Sequence, residues 1–230
     1  MSTIRREKAP NSPLRAGQRL DRATFHALYE TMPAGIKAEL IGGVVTMPGP
    51  LGRRQGGVDG LVHYWLNHYR FRTPGLEVLG NASAALDDVG EPQPDAQLRI
   101  LPEYGGQTTN FGKIVGGAPE LIVEVSDSTR DTDLGPKLED YSRSGVLEYL
   151  VALIDPDEVA WHVREAGRLV RVPPDPDGFF RSRAFPGLWL DPLALMFDHG
   201  PALVAALERG LATDEHAAFV ARLAASRDAI

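Results

Sequence analysis

A glutamate set into an otherwise apolar run constrains this chain more than any other feature. The segment PELIVEVS places Leu121, Ile122, Val123 and Val125 in near-unbroken succession around Glu124. Such a run is the pattern of a strand covered on both faces. Burying a lone carboxylate there costs on the order of several kcal/mol unless a cation or hydrogen bonds meet it. Alternation offers a milder reading, with Leu121 and Val123 turned inward and Ile122 and Glu124 turned to solvent. Ile122 on the same face as Glu124 weighs against free solvation and favours a functional role for the acid.

The rest of the chain supplies elements to surround that strand. Phe25, Leu28 and Tyr29 fall at helical spacing after Asp21, and Met32-Pro33 ends the run. Two short apolar runs flank Gly42-Gly43, a hairpin signature. Leu61, Val62, Trp65, Leu66 and Tyr69 form one stripe of a helix predicted over 58–71. Strands are expected over 76–79, 82–86 and 95–101, and the glycine-rich stretch 102–119 is expected as a surface excursion. A helix over 134–144 leads to EYLVALID and VAWHVRE, which turn at Asp155-Pro156-Asp157, and a further strand is expected over 168–172. Helices over 201–209 and 213–226 close the chain. The expected fold class is therefore α/β, an α+β arrangement with a mixed sheet flanked by helices. The division expected is a flexible arm over 1–20, a domain over 21–197 and a helical tail over 198–230.

Several chemistries are excluded by what is missing. The chain has no cysteine, which removes disulfides, thiolate metal sites and thiol nucleophiles. Its glycine-rich stretches lack the Gly-Lys-Ser/Thr ending of a phosphate loop, and no G-x-S-x-G elbow is present. The six histidines never take metal-ligand spacing. With 24 basic against 31 acidic residues the net charge is −7, which argues against coating duplex DNA but not against local contact through a metal ion. The first twenty residues lack the apolar core of a signal peptide or span, so a cytoplasmic protein without membrane association is expected.

Carboxylates remain. Asp95 opens a strand after Pro94, and Glu124 sits in another; two such acids at one sheet edge make an oxygen-ligand site for Mg²⁺ or Mn²⁺. The carbonyl of Val125 adds a third ligand. Lys137, early in the next helix, is the best cation to orient or deprotonate water, with Tyr141 one turn on along the same face. Lys137 is equally able to pair with Asp133, Glu139 or Asp140 on an exposed helix. Asp127, Asp131 and Asp133 read as caps and turn formers, and Trp65, Trp161 and Trp189 as packing residues.

The string PELIVEVSDSTRDTDLGPKLEDYSRSGVLEYLVALIDP, with KAELIGGVVTMP, QPDAQLRI and FPGLWLDPLALM in that order, resembles the Uma-two family. Its members are bacterial restriction-endonuclease-like proteins of the PD-(D/E)XK nuclease superfamily. The resemblance implies a restriction-endonuclease-like core with its acids where two central strands diverge. It makes Asp95 similar to the superfamily aspartate, Glu124 to the second acid and Glu39 to an additional acid, although Glu39 also reads as a hairpin surface residue. The superfamily lysine would fall at Ser126, and Lys137 is similar to the lysine that substitutes in the next helix. Many relatives carry a histidine in the loop before the long helix; here Arg53, Arg54 and Gln55 stand there, as phosphate contacts or a solvated loop. The function expected is metal-dependent hydrolysis of DNA phosphodiester bonds, with nucleic acid as partner and a homodimer allowed. The alternative is a catalytically silent nuclease fold that binds nucleic acid or protein.

Overall fold

The computed structural model describes residues 12–228. Helix α1 (Arg22–Tyr29) precedes the hairpin β1 (Glu39–Ile41) and β2 (Val44–Thr46), then the long helix α2 (Arg53–Arg72). Strands β3 (Leu76–Gly80), β4 (Ala84–Ala85), β5 (Ala96–Ile100), β6 (Thr109–Phe111), β7 (Ile114–Gly116) and β8 (Leu121–Ser126) follow. Helix α3 (Arg130–Thr132), a π-helical turn (Asp133–Lys137) and α4 (Leu138–Ser144) lead to β9 (Glu148–Leu153), β10 (Glu158–Glu165) and β11 (Arg168–Val172). The chain closes with β12 (Phe180–Arg181), β13 (Trp189–Leu190), α5 (Pro192–Met196), α6 (Gly200–Leu211) and α7 (Asp214–Asp228). No helix among the described residues is long and apolar enough to cross a membrane.

Six strands form the central sheet in the order β11-β10-β9-β8-β5-β3. Only β8 and β9 run parallel; the other neighbours are antiparallel. A parallel pair needs a crossover, and the segment from α3 to α4 supplies it. Both central strands are buried along their whole length. On one face Leu121, Val123 and Val125 pack under Trp65, Leu66 and Tyr69 of α2. On the other, Ile122 and Val151 pack against Tyr141 and Tyr149. Glu124 follows Ile122 in the alternation, so it faces α4. That face is covered rather than solvated, and the milder reading of Glu124 fails for that reason.

The hairpin turns on Gly42 and Gly43, at φ +56° and +75°, a two-residue turn of the type that only glycine or a short polar residue enters without strain. It positions Glu39 beside the sheet edge. The stretch expected as a loose excursion contains β6 and β7, which pair antiparallel while β7 joins β4 in parallel. Residues 1–11 of the expected arm lie outside the described residues. From 12 to 20 the chain is held: Leu14 is buried with Phe25, Leu40 and Val45, and Gly17 N donates to Val45 O at 2.8 Å. The tail is no appendage either, since Leu203, Leu207, Phe219 and Leu223 share the α2-side core with Trp65. Apolar faces of α6 and α7 find their cover within this chain.

Truncating Leu207, which is 1% exposed, should therefore cost what a central core position costs. Leu207→Ala is expected to destabilise the fold by about 2–5 kcal/mol. Urea unfolding followed by tryptophan fluorescence reads this as a lower midpoint, and an unchanged midpoint would show that the tail is peripheral.

Candidate active site

Strands β5 and β8 are joined antiparallel, with Ala96 opposite Val123, and the ladder ends there. Asp95 and Glu124 are the next residues out, facing each other where the strands part. The Asp95 carboxylate accepts the backbone N–H of Val125 at 2.8 Å through Oδ2. Glu124 lies deeper, 3% exposed. Its Oε1 accepts from Lys137 Nζ and from the Tyr141 hydroxyl, each at 2.9 Å. Lys137 and Tyr141 are one turn apart on a shared face, as their spacing requires.

Two further acids meet the same ammonium. Glu39 Oε1 lies 3.3 Å from Lys137 Nζ and also accepts the backbone N–H of Gln93 at 2.7 Å. Asp133 Oδ1 is 3.6 Å from Nζ, too long for a hydrogen bond, while Oδ2 takes the Thr129 hydroxyl at 2.6 Å. The π-helical turn at Gly135-Pro136 brings Asp133 and Lys137 to the same side of the backbone. Glu39 is thus buried and not a hairpin surface residue, Lys137 is buried and not on an exposed helix face, and Asp133 belongs to the cluster instead of serving as a turn former alone. Asp127 and Asp131 are exposed, away from it.

Burial and charge set the protonation states. Burial pulls the Lys137 ammonium toward its neutral form, but the combined attraction of Glu124, Glu39 and Asp133 outweighs it and holds the pKa above its ordinary value. Lys137 is therefore an ammonium at neutral pH. Burial pushes Glu124 up to about 8, against the opposing pull of Lys137 and with repulsion from Asp95, Asp133 and Glu39 added. Burial also lifts the Tyr141 hydroxyl well above its ordinary value, so it stays a neutral donor.

Glu39, Asp95, Glu124 and Lys137 all line one cleft of about 320 Å³, together with Lys37 and Asp133. The Val125 carbonyl, expected as a metal ligand, accepts Gln55 Nε2 at 2.7 Å, which leaves one lone pair. Arg53, Arg54 and Gln55 form the first turn of α2 and not a loop, and Arg54, its side chain still 46% exposed, donates to Ile154 O at 3.0 Å and pairs with Asp157, fastening α2 to the turn after β9. Ser126 is fully buried, with its hydroxyl beside Thr129.

Sequence reasoning missed Lys37, Asn81 and Asp59. Lys37 Nζ lies 3.8 Å from Asp95 Oδ1 and donates to Asn81 Oδ1 at 2.9 Å. Its spacing of two from Glu39 in an extended stretch was the available signal. Asp59 on α2 has a buried Oδ1 without a hydrogen-bond partner, 3.5 Å from His63 Nε2, and burial raises its pKa.

Carboxylate and carbonyl oxygens are the donors a hard divalent cation takes. Among the described residues, Asp95 Oδ1 and Glu124 Oε2 accept no protein hydrogen bond. No three acidic or imidazole groups are gathered into a ready cage among the described residues, and the Lys137 ammonium stands between Glu124, Glu39 and Asp133. The donor set suits an ion that keeps several of its waters, as Mg²⁺ does.

A mixed sheet flanked by helices, with acids where two central strands diverge and a lysine from the crossover helix, defines a restriction-endonuclease-like fold of the nuclease class. The chain belongs to the Uma2 family, described as "Putative restriction endonuclease", whose model matches residues 22–194. Among solved structures it is similar to a crystal structure described as a "putative nuclease belonging to DUF820" from Anabaena variabilis. The two share 15% identity and a TM-score of 0.55, over 74% of this chain and 97% of that one, which is a likeness of fold. No curated protein matches the chain.

The raised Glu124 carboxyl has a consequence for stability. The folded chain holds a proton that the unfolded chain has lost above its ordinary value of 4.5, so stability falls as pH rises from there toward about 8. The slope is expected to reach up to ~1.4 kcal/mol per pH unit. In metal-free buffer, thermal melts of the wild type should drop across this window, and Glu124→Gln, which still accepts from Lys137 and Tyr141, should show a smaller drop, the remainder coming from other buried acids such as Glu91, Glu120 and Glu148.

Proposed function

We propose that the protein is a divalent-metal-dependent endonuclease that hydrolyses phosphodiester bonds of DNA. The observation that carries this reading is the convergence of Asp95, Glu124, Glu39 and Lys137 on one cleft from four separate parts of the chain. Asp95 and Glu124 would hold Mg²⁺ or Mn²⁺, with the remaining lone pair of the Val125 carbonyl as a further ligand. Such an ion, when bound, supplies a water of lowered pKa and offsets charge on the phosphoryl oxygens.

The protein's own residues have distinct tasks. Val125 N–H fixes one oxygen of Asp95 and leaves the other toward the cleft. Lys137 and Tyr141 fix one oxygen of Glu124 in the same way. Because Lys137 stays protonated, it orients a water instead of taking its proton. The N–H directed at Asp133, whose contact is long, is the one that turns to that water. Glu39 keeps the ammonium in place.

A second reading, a catalytically silent nuclease fold that binds nucleic acid or protein, draws on buried Ser126 where the superfamily lysine would stand. Cleavage assays with single- and double-stranded DNA in Mg²⁺ and Mn²⁺ separate the two. Asp95→Asn, which keeps the bond to Val125 N–H, should lower cleavage by roughly a hundredfold or more and weaken Mn²⁺ binding in calorimetry. Wild-type protein that neither binds Mn²⁺ nor cuts any of these substrates would sink the endonuclease reading. Affinity for DNA that ignores Asp95→Asn and Glu124→Gln would favour the silent module.

A further inference from the structure

The charged side chains lining the cleft are four carboxylates, Glu39, Asp95, Glu124 and Asp133, and two ammonium groups, Lys37 and Lys137. With every acid ionised their formal sum is −2, and a divalent ion brings it to zero. A phosphate diester entering that cleft carries a charge of its own and needs a cation with N–H groups to spare. Lys137 does not qualify. Its side chain is 7% exposed, two of its N–H groups face Glu124 and Glu39, and the third is the one that turns to the water.

Lys37 has the opposite character. Its side chain is 29% exposed. One N–H goes to Asn81 Oδ1 at 2.9 Å, and the approach to Asp95 Oδ1 at 3.8 Å is beyond hydrogen-bond reach. An ammonium has three N–H groups, so two are left for a ligand. Its tether is itself anchored. Asn81 takes the left-handed conformation at φ +52°, and its N–H is shared between the carbonyls of Pro94 and Asp95, each at 3.1 Å. The residue that aims Lys37 is therefore fastened to the backbone that carries the first acid. A lysine present only to balance Asp95 would close to hydrogen-bonding distance; this one is held off it by a separate acceptor.

Resting on the endonuclease reading above, we infer that Lys37 is the substrate-phosphate contact of this cleft, binding a non-bridging oxygen of the nucleic-acid backbone beside Asp95. The contact is to phosphate, so it is blind to base sequence and contributes one counterion's worth of salt dependence.

The test follows fluorescein-labelled single- and double-stranded oligonucleotides by anisotropy in Ca²⁺, with gels to confirm that the strands stay intact, across a salt series. The slope of log affinity against log salt should be shallower for Lys37→Met by ~0.7 for single strands and ~0.9 for duplex. Lys37→Arg should restore the wild-type slope. Lys37→Gln, which keeps a polar donor without the charge, should match Lys37→Met and covers the case in which the methionine variant melts early. In Mn²⁺ kinetics the neutral variants should raise KM with kcat largely kept. A wild-type slope in both neutral variants overturns the role of Lys37 and leaves the endonuclease reading standing. A wild type that binds neither oligonucleotide with the ion present and cuts neither in Mn²⁺ overturns both.

Discussion

Everything at the cleft hangs on one buried contact, the Lys137 ammonium with Glu124 at 2.9 Å. Neither charge is tolerable alone at such depth, since an unpaired buried ion costs several kcal/mol, on the order of 3–5 when one partner is removed. Each partner also needs its remaining hydrogen-bonding capacity met, and the fold is arranged to do so. Tyr141 donates to the acid, while Glu39 and Asp133 surround the ammonium. The π-helical turn and the hairpin are the devices that deliver those groups. A site of this kind is stable only as a whole, which ties the geometry of the acids to the folding of three separate elements.

The pair also explains why a fold would keep a carboxyl that burial opposes. Burial first, and then repulsion from Asp95, Asp133 and Glu39, make Glu124 hold its proton more tightly than the pull of Lys137 can offset. A purely structural core would relieve this with apolar residues of similar volume. Retaining it makes sense where the negative charge is to be offset by something that arrives from outside. Perturbation of this sort, in a cleft and with a specific charge partner, is what active sites tend to show.

Local pattern made much of this legible. Glu124 within LIVEV announced a buried acid, alternation put it on the face of Ile122, the turn glycines marked the hairpin, and the spacing of four put Tyr141 beside Lys137. Family resemblance, not pattern, pointed to Glu39. What stayed hidden depends on contacts between distant parts of the chain. Asp133 looked like a cap because the kink at Gly135-Pro136, which turns it inward, leaves no mark in periodicity. Arg54 read as a loop residue because its partners, Ile154 and Asp157, are a hundred residues on. The arm and the tail read as separate from the domain because the partners of Leu14 and of the tail leucines lie on the hairpin and on α2. Lys37 is the instructive case: its spacing from Glu39 was readable, but its purpose depends on Asn81, whose position is fixed only by the strand that carries Asp95.

The net charge of −7 acquires a different meaning in this light. Taken over the whole chain it opposes a polyanion. Part of it, however, is concentrated in a cleft whose six charged side chains fall short of neutrality by one divalent ion. On the endonuclease reading, metal and phosphate would be coupled: the ion would remove the repulsion that the phosphate meets, and the phosphate would add negative charge that strengthens the hold on the ion. Neither needs to bind tightly alone. On that reading the net negative charge would keep the protein from coating DNA, and nucleic acid would be held only where the acids can act.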